Sequence, residues 1–356
     1  MTMSVWFSLL WRNRFAVSLR CLPLTFAVSI ASVANSILRL ISEAIYKRRA
    51  EATRIEAPVF VIGHWRTGTT LLHELLVKDR RFGFPNTYQC VVPHHFLATD
   101  WIFTRWFNWL LPNTRPMDNM PMGFERPQED EFALMSLGVG SPYLEWAFPN
   151  RGEHFDEYLT IRDLDAAEQA VWKREFLWFL RRLALKLGRR FVLKSPTHTA
   201  RVATLLEMFP DARFVHIVRN PLVVVPSTIR TWNRMTDGVS LQVRRDSVTL
   251  DRVLDVFELM YRCFDEDRDK IPAGQLHEIR YEDLVADPVG ELETIYEKLD
   301  LFDFGPARKA IEQHLEETKD YQPNRWDSAD EVSAQIAERC ASYMHRYGYD
   351  VNPCHA

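Results

Sequence analysis

The chain has 356 residues, 47% of them hydrophobic and 26% charged, with a formal net charge of −4. That balance is globular and gives no ground for a nucleic-acid partner. The five cysteines (Cys21, Cys90, Cys263, Cys340, Cys354) form no C-x-x-C pair and no even framework, so they read as free thiols of a reducing compartment.

In chain order, the first candidate element is N-terminal. Cys21 to Leu38 are eighteen residues without a charge, near the lower limit for a membrane span. Arg12, Arg14 and Arg20 precede the run, and Lys47, Arg48 and Arg49 follow it. The basic cluster behind it argues against cleavage as a signal peptide. Leu22, Phe26, Ile30, Val33, Ile37, Leu38, Ile41 and Ile45 fall mostly three or four apart, which suits an amphipathic helix. Three readings fit: a helix on a membrane surface, making peripheral contact through residues 15–49; a helix packed on the rest of the protein; or a weak span. Residues 1–54 are expected to form this helical segment, and 55–350 the catalytic domain.

Val59-Phe-Val-Ile62 reads as a strand buried on both faces. Gly63 and Gly68 bracket a loop, and Thr69 and Thr70 open a helix bearing Leu71, Leu72, Leu75 and Leu76. Strand, glycine loop and helix N-terminus together bind phosphate through inward amides and the helix dipole. The spacing matches G-x-x-x-x-G-K-[ST], except that Thr69 stands in the lysine position and the loop's positive charge is Arg66. A phosphate loop without that lysine does not suit Mg²⁺-nucleoside triphosphate hydrolysis.

An insertion is expected at about 85–160. It holds the aromatic run Trp101–Leu111, a turn-rich piece Pro112–Met122, and Arg126-Pro-Gln-Glu-Asp-Glu-Phe132. Such insertions build specificity walls in α/β enzymes. From 171 the helix–strand alternation resumes. Strands are predicted at Arg190–Lys194, Ala212–Val218 and Gln275–Arg280, with helices between them. Gly188 should end one helix, Asp287 and Pro288 should start another, and a last helix is expected over 329–347. The sum is an α/β fold of the P-loop-like, three-layer kind, a central parallel sheet with helices on both faces.

Ligands of such sheets bind at the carboxyl ends of the strands. Arg66, Lys194 with Ser195, Arg219 with Ser227 eight residues on, and Tyr281 stand at those ends. Three cations at one sheet edge, with no strand-end aspartate to hold Mg²⁺, suit a ligand with several anionic groups and no metal.

These residues carry a resemblance. The chain resembles the sulfotransferases that use 3′-phosphoadenosine 5′-phosphosulfate (PAPS), in particular a bacterial branch with a Trp-Arg-[Thr/Ser]-Gly-Thr-Thr loop. It rests on Gly63-His-Trp-Arg-Thr-Gly-Thr-Thr-Leu-Leu72, Leu193-Lys-Ser-Pro-Thr197, Phe214–Pro221 with Ser227, and Arg280-Tyr-Glu-Asp-Leu284. It implies that Arg66, Thr67, Gly68, Thr69 and Thr70 bind the 5′-phosphosulfate, and that Arg219 and Ser227, beside Tyr281, bind the 3′-phosphate. Arg66 and Lys194 are then the electrostatic catalysts. A carboxylate or histidine must take the acceptor proton. The candidates are Glu129, Asp130, Glu131, His94, His95 and His198, and the resemblance favours Glu129. It implies lesser contacts from His64, Tyr321 and Arg325, and a closing loop over Lys319–Arg325. The acceptor is expected to be a small-molecule, lipid or glycan hydroxyl, amphiphilic by the composition of the insertion. Two other readings stay open: a P-loop kinase or NTPase, and a non-catalytic membrane-surface binding protein on the same fold.

Overall fold

The structure, a computed structural model, describes residues 1–106, 123–152, 155–318 and 330–350. The chain divides into two compact units. One comprises Met1–Glu56, Phe84–Arg189 and Trp232–Ser247; the other comprises Ala57–Gly83, Arg190–Thr231 and Val248–Ala356.

The second unit is built on a sheet of five parallel strands: β1 (Val59–Ile62), β2 (Phe82–Gly83), β3 (Arg190–Lys194), β4 (Arg213–Val218) and β5 (Leu276–Arg280). Their order is β2-β3-β1-β4-β5. β1 is central and fully buried, which is why it is a continuous apolar run. Alternate residues serve opposite faces. Val59, Val61, Val192, Val215 and Ile217 pack with Leu72, Leu75, Leu76, Leu292 and Ile295. Phe60 stacks on Phe214 and meets Phe209 and His198, while His216 packs against Phe264 of the helix Leu250–Arg268. Helices therefore cover both faces, and the α/β three-layer expectation holds.

The other unit is helical among the described residues. α1 (Met3–Arg12) and α2 (Leu22–Glu51) are joined by a short turn. The helix Ala166–Leu187 buries Trp172, Phe176, Phe179, Leu180 and Leu183 and is capped by Asp165, whose side chain accepts from Glu168 N–H. Gly188 ends it in the left-handed region, as expected. Of the aromatic run Trp101–Leu111, only the part inside the helix Phe96–Trp106 is described. The turn-rich piece 112–122 and the expected closing loop, with Tyr321 and Arg325, lie outside the described residues.

Two departures from the sequence reading stand out, and one helix within the expected N-terminal segment lacks a local signal. β2 is a two-residue edge strand, too short to show a period. α1 carries no strong start signal, yet it forms because Trp6 and Leu10 bury against Phe148 and Leu241. The expected single helix 329–347 is two, Asp330–Arg339 and Ala341–Tyr347, broken at Cys340 (φ −97°, ψ 11°) with no glycine or proline to announce it.

Candidate functional site

The site is built around the loop between β1 and α3 (Thr69–Leu76). Two glycines are forced by contact. At Gly63 (φ 146°) a Cβ would lie 2.4 Å from Ile217 O, and at Gly68 (φ 103°) one would lie 2.3 Å from the Tyr281 ring. The loop folds onto itself: Thr67 Oγ1 donates to His64 O at 2.7 Å, and Thr67 N–H reaches the same carbonyl at 3.3 Å. Gly63 N–H donates to Thr199 Oγ1 at 2.7 Å. Arg66 sits at φ 69°, a left-handed conformation that costs a non-glycine residue about 1–3 kcal/mol.

That conformation aims Arg66 across the site. Its Nε donates to Ser227 Oγ at 3.0 Å. Arg219 donates through a terminal nitrogen to Arg66 O at 3.3 Å, and its guanidinium lies 3.9 Å above the Tyr281 ring. Burial holds the Arg219 guanidinium below the ordinary arginine range, and the charge of Arg66 pushes the same way. Two like charges drawn together over the N-terminus of α3 form a place that gains from an anion. Lys194, 2% exposed, ends β3 in register with Val61, and the fully buried Ser195 follows it. The structure thus collects Arg66, Thr67, Gly68, Thr69, Thr70, Lys194, Arg219, Ser227 and Tyr281 in the sheet unit.

Sequence reasoning did not find the support behind this set. The Tyr343 hydroxyl accepts from Arg219 N–H at 3.3 Å, Tyr261 Oη–H donates to Tyr343 Oη at 3.5 Å, and His64 N–H points at Tyr261 Oη at 3.4 Å. The break at Cys340 places Tyr343 for this role. No spacing rule signals it, because the three residues come from three distant elements. His64 itself is fully buried against Phe257, and burial lowers its imidazole to about 4, although its bond to Trp65 O works the other way. Its backbone and ring contacts support the loop from within.

The proton-acceptor candidates divide between the units. His198, in the sheet unit, is fully buried edge-on to Phe60. The others lie in the helical unit. Asp130 and Glu131 are fully buried. His94 faces Ser136 O at 3.1 Å; His95 is held by Thr99 Oγ1 and Asn35 Oδ1, both at 2.9 Å. Burial lowers His94 to about 3 and His95 to about 4. Glu129 is only half-buried and accepts a short hydrogen bond from Tyr143 Oη–H, whose ring stacks on Trp146.

Comparison with known proteins bears on what such a site does. A family model described as "Sulfotransferase family" matches residues 58–304. The chain is 40% identical over 348 residues to proteins named omega-hydroxy-beta-dihydromenaquinone-9 sulfotransferase Stf3 from Mycobacterium bovis and Mycobacterium tuberculosis, covering 98% of this chain and 89% of theirs. Among solved structures, the fold is similar to sulfotransferase STF9 of Mycobacterium avium (TM-score 0.70, 19% identity, 92% of this chain and 86% of that one). It is also similar to STF1 of M. tuberculosis (TM-score 0.64, 20% identity, 95% and 90%).

Proposed function

The chain belongs to the sulfotransferase family, and from that premise we propose that it carries a sulfuryl group from PAPS to the hydroxyl of an amphiphilic, lipid-like acceptor. The kinase and non-catalytic readings find no support in the comparisons. The observation that carries the donor assignment is the paired guanidinium arrangement, Arg66 bonded to Ser227 and Arg219 bonded to Arg66 O. PAPS has a 5′-phosphosulfate and a 3′-phosphate, two anionic groups to be met by two guanidinium groups.

In this reading the loop amides and Arg66 hold the phosphosulfate, while Arg219 and Ser227 hold the 3′-phosphate. Lys194, at the end of β3, stabilises the charge that develops on the bridging oxygen. The acceptor oxygen attacks sulfur in line as the bridging S–O bond breaks, leaving adenosine 3′,5′-bisphosphate and a sulfate ester. Catalysis is positioning plus stabilisation of spreading negative charge, with no metal required. Glu129 takes the acceptor proton. Its support is exposure: of the six candidates, the other five are buried, and a base must be reached by the incoming hydroxyl.

A relative named for a hydroxylated dihydromenaquinone, at 40% identity, supports an acceptor of that kind, an apolar molecule bearing a hydroxyl. The reading keeps the enzyme on the cytoplasmic side, where the free thiols of Cys90, Cys263 and Cys340 are stable. It reaches its acceptor by peripheral membrane contact through residues 15–49.

The test is titration calorimetry with adenosine 3′,5′-bisphosphate, without metal, on the intact chain and on Arg219→Ala. Tight binding that the variant weakens by about 2–3 kcal/mol supports the donor site. Binding of Mg²⁺-ATP in place of the bisphosphate would overturn it.

A further inference from the structure

Many apolar residues of α2, and some of α1, point outward rather than into the protein. In α2, Phe26 (69% exposed), Ile30 (57%) and Ile37 (56%) face outward, with Leu22, Val33, Ile41 and Ile45. The residues that α2 buries are Ser32, Ser42 and Ala50. The stripe that packs inward is polar and hydrogen-bonded. Ser29 Oγ accepts from Trp6 Nε1 at 2.9 Å, Ser36 Oγ accepts from Met3 N–H at 2.8 Å, Asn35 Oδ1 meets His95, and Glu43 pairs with Arg182. A helix that hides serines and shows isoleucines is inverted with respect to water.

α1 buries one apolar face and shows another. Trp6 and Leu10 are buried, while Phe7 (55% exposed) and Trp11 (66%) stand outward. With Phe15 they form a surface aromatic cluster, ring centroids 5.8–6.2 Å apart. Exposed Arg12, Arg14 and Arg20 stand at one end of this apolar surface, and Lys47, Arg48 and Arg49 at the other. The first fifty residues carry seven Lys/Arg and one acid, Glu43, in a chain of net charge −4. Glu43 is already paired with Arg182.

We infer that α1 and α2 form an in-plane docking element for an anionic bilayer: the aromatic cluster and the outward apolar residues enter the interface, and the arginines and lysines at both ends meet lipid phosphates. The chemistry of an interfacial amphipathic helix is all present, including an aromatic group able to anchor at headgroup depth. α2 is long and apolar enough to cross a membrane, but its bonded inward stripe argues for lying flat. From Ser29 to Glu43, about 21 Å along the axis, its polar groups are tied to their own unit at Trp6, His95 and Arg182. A crossing helix would give these bonds up inside hydrocarbon. A second copy of the chain is the less favoured cover, since six exposed cations about one apolar surface would face six more across a two-fold interface.

This inference deepens the reading of the acceptor as membrane-borne, and its test does not depend on that acceptor. The full-length protein would be sedimented with phosphatidylglycerol-containing vesicles and with pure phosphatidylcholine vesicles, at low and high salt. The variants are Phe7→Ser/Trp11→Ser and, independently, Phe26→Ser/Ile30→Ser. All four positions are exposed, so folding should survive; calorimetric binding of adenosine 3′,5′-bisphosphate checks the sheet unit separately. The expected result is binding to anionic vesicles that weakens with salt and falls about tenfold or more in each double variant. Equal binding by the variants, or no binding by the intact chain, would overturn it. So would a concentration-dependent dimer lost in the variants without vesicle binding, or membrane protein that alkaline carbonate fails to extract.

Discussion

Arg66 and Ser227, 161 positions apart in the chain, are joined by one hydrogen bond, Nε to Oγ at 3.0 Å. The bond is made by the inner nitrogen of a planar guanidinium, which fixes the direction of the whole fork. A lysine could not be oriented this way, because it has one nitrogen and no fork. Replacing Arg66 by alanine is expected to lower kcat by about 10²–10³-fold. Arg66→Lys should restore charge but not orientation and recover only part of that loss. Ser227→Ala should cost less, about 1 kcal/mol in donor affinity. Steady-state kinetics with the donor varied checks the order; an Arg66→Ala enzyme with undiminished kcat would remove Arg66 from the chemistry.

Gly68 tests the loop without touching a charge. An added methyl would meet the Tyr281 ring at 2.3 Å, on a backbone at φ 103°. Gly68→Ala should therefore cost about 2 kcal/mol or more in stability. It should also displace Tyr281, the ring beneath Arg219, and so weaken bisphosphate binding. Thermal unfolding and calorimetry on the same sample read both effects. Unchanged binding would mean that the ring does not position the arginine.

The buried histidines set an acid limit. Burial lowers His64 and His95 to about 4 and His94 to about 3. In the unfolded chain a histidine titrates near 6.5. As pH falls below that value the unfolded state takes up protons that the folded state refuses, so stability is full above about 6.5 and declines towards pH 4. Urea midpoints at pH 7 and pH 5 should differ, the acidic one being lower. His95→Gln, which keeps a polar partner for Asn35 or Thr99, should make the decline shallower. A midpoint that stays level over this range would contradict the burial argument.

The centre of the sheet was legible because β1 is covered on both faces and reads as an unbroken apolar run, Val59–Ile62, whereas β5, Leu-His-Glu-Ile-Arg at the sheet edge and mostly half-buried, was placed by the helix–strand alternation. The strand-end rule then gathered Arg66, Lys194, Arg219 and Tyr281 without knowledge of their contacts. What it could not supply was which atom touches which: the Arg66–Ser227 bond and the Arg219–Tyr281 stacking depend on the side chains' approach. β2 escaped because two residues have no period. The break at Cys340 escaped because its cause is the packing of Tyr343 on Tyr261 and Phe257, which no local signal carries. In α2 the heptad-like apolar stripe was read correctly as a face. Which face would be covered depended on Ser29, Asn35 and Glu43, residues that hydropathy counts as weakness and the fold uses as its contact side.

The strand order β2-β3-β1-β4-β5 has a consequence for how the protein is made. β1 is flanked by β3 and β4, whose residues Val192 and Arg213 pair with Val59. Translation at about 5–20 residues per second puts roughly 7 to 30 seconds between β1 and its second neighbour. For most of that interval, until β3 is made, an apolar strand and the loop after it have no long neighbour to join. A ribosome-bound chain stopped at residue 189 should expose β1 to protease, and one extended past β4 should protect it. The loop after β1, first of the site's pieces to emerge, is then among the last to take shape, and the nascent chain gains from shelter at its own central strand.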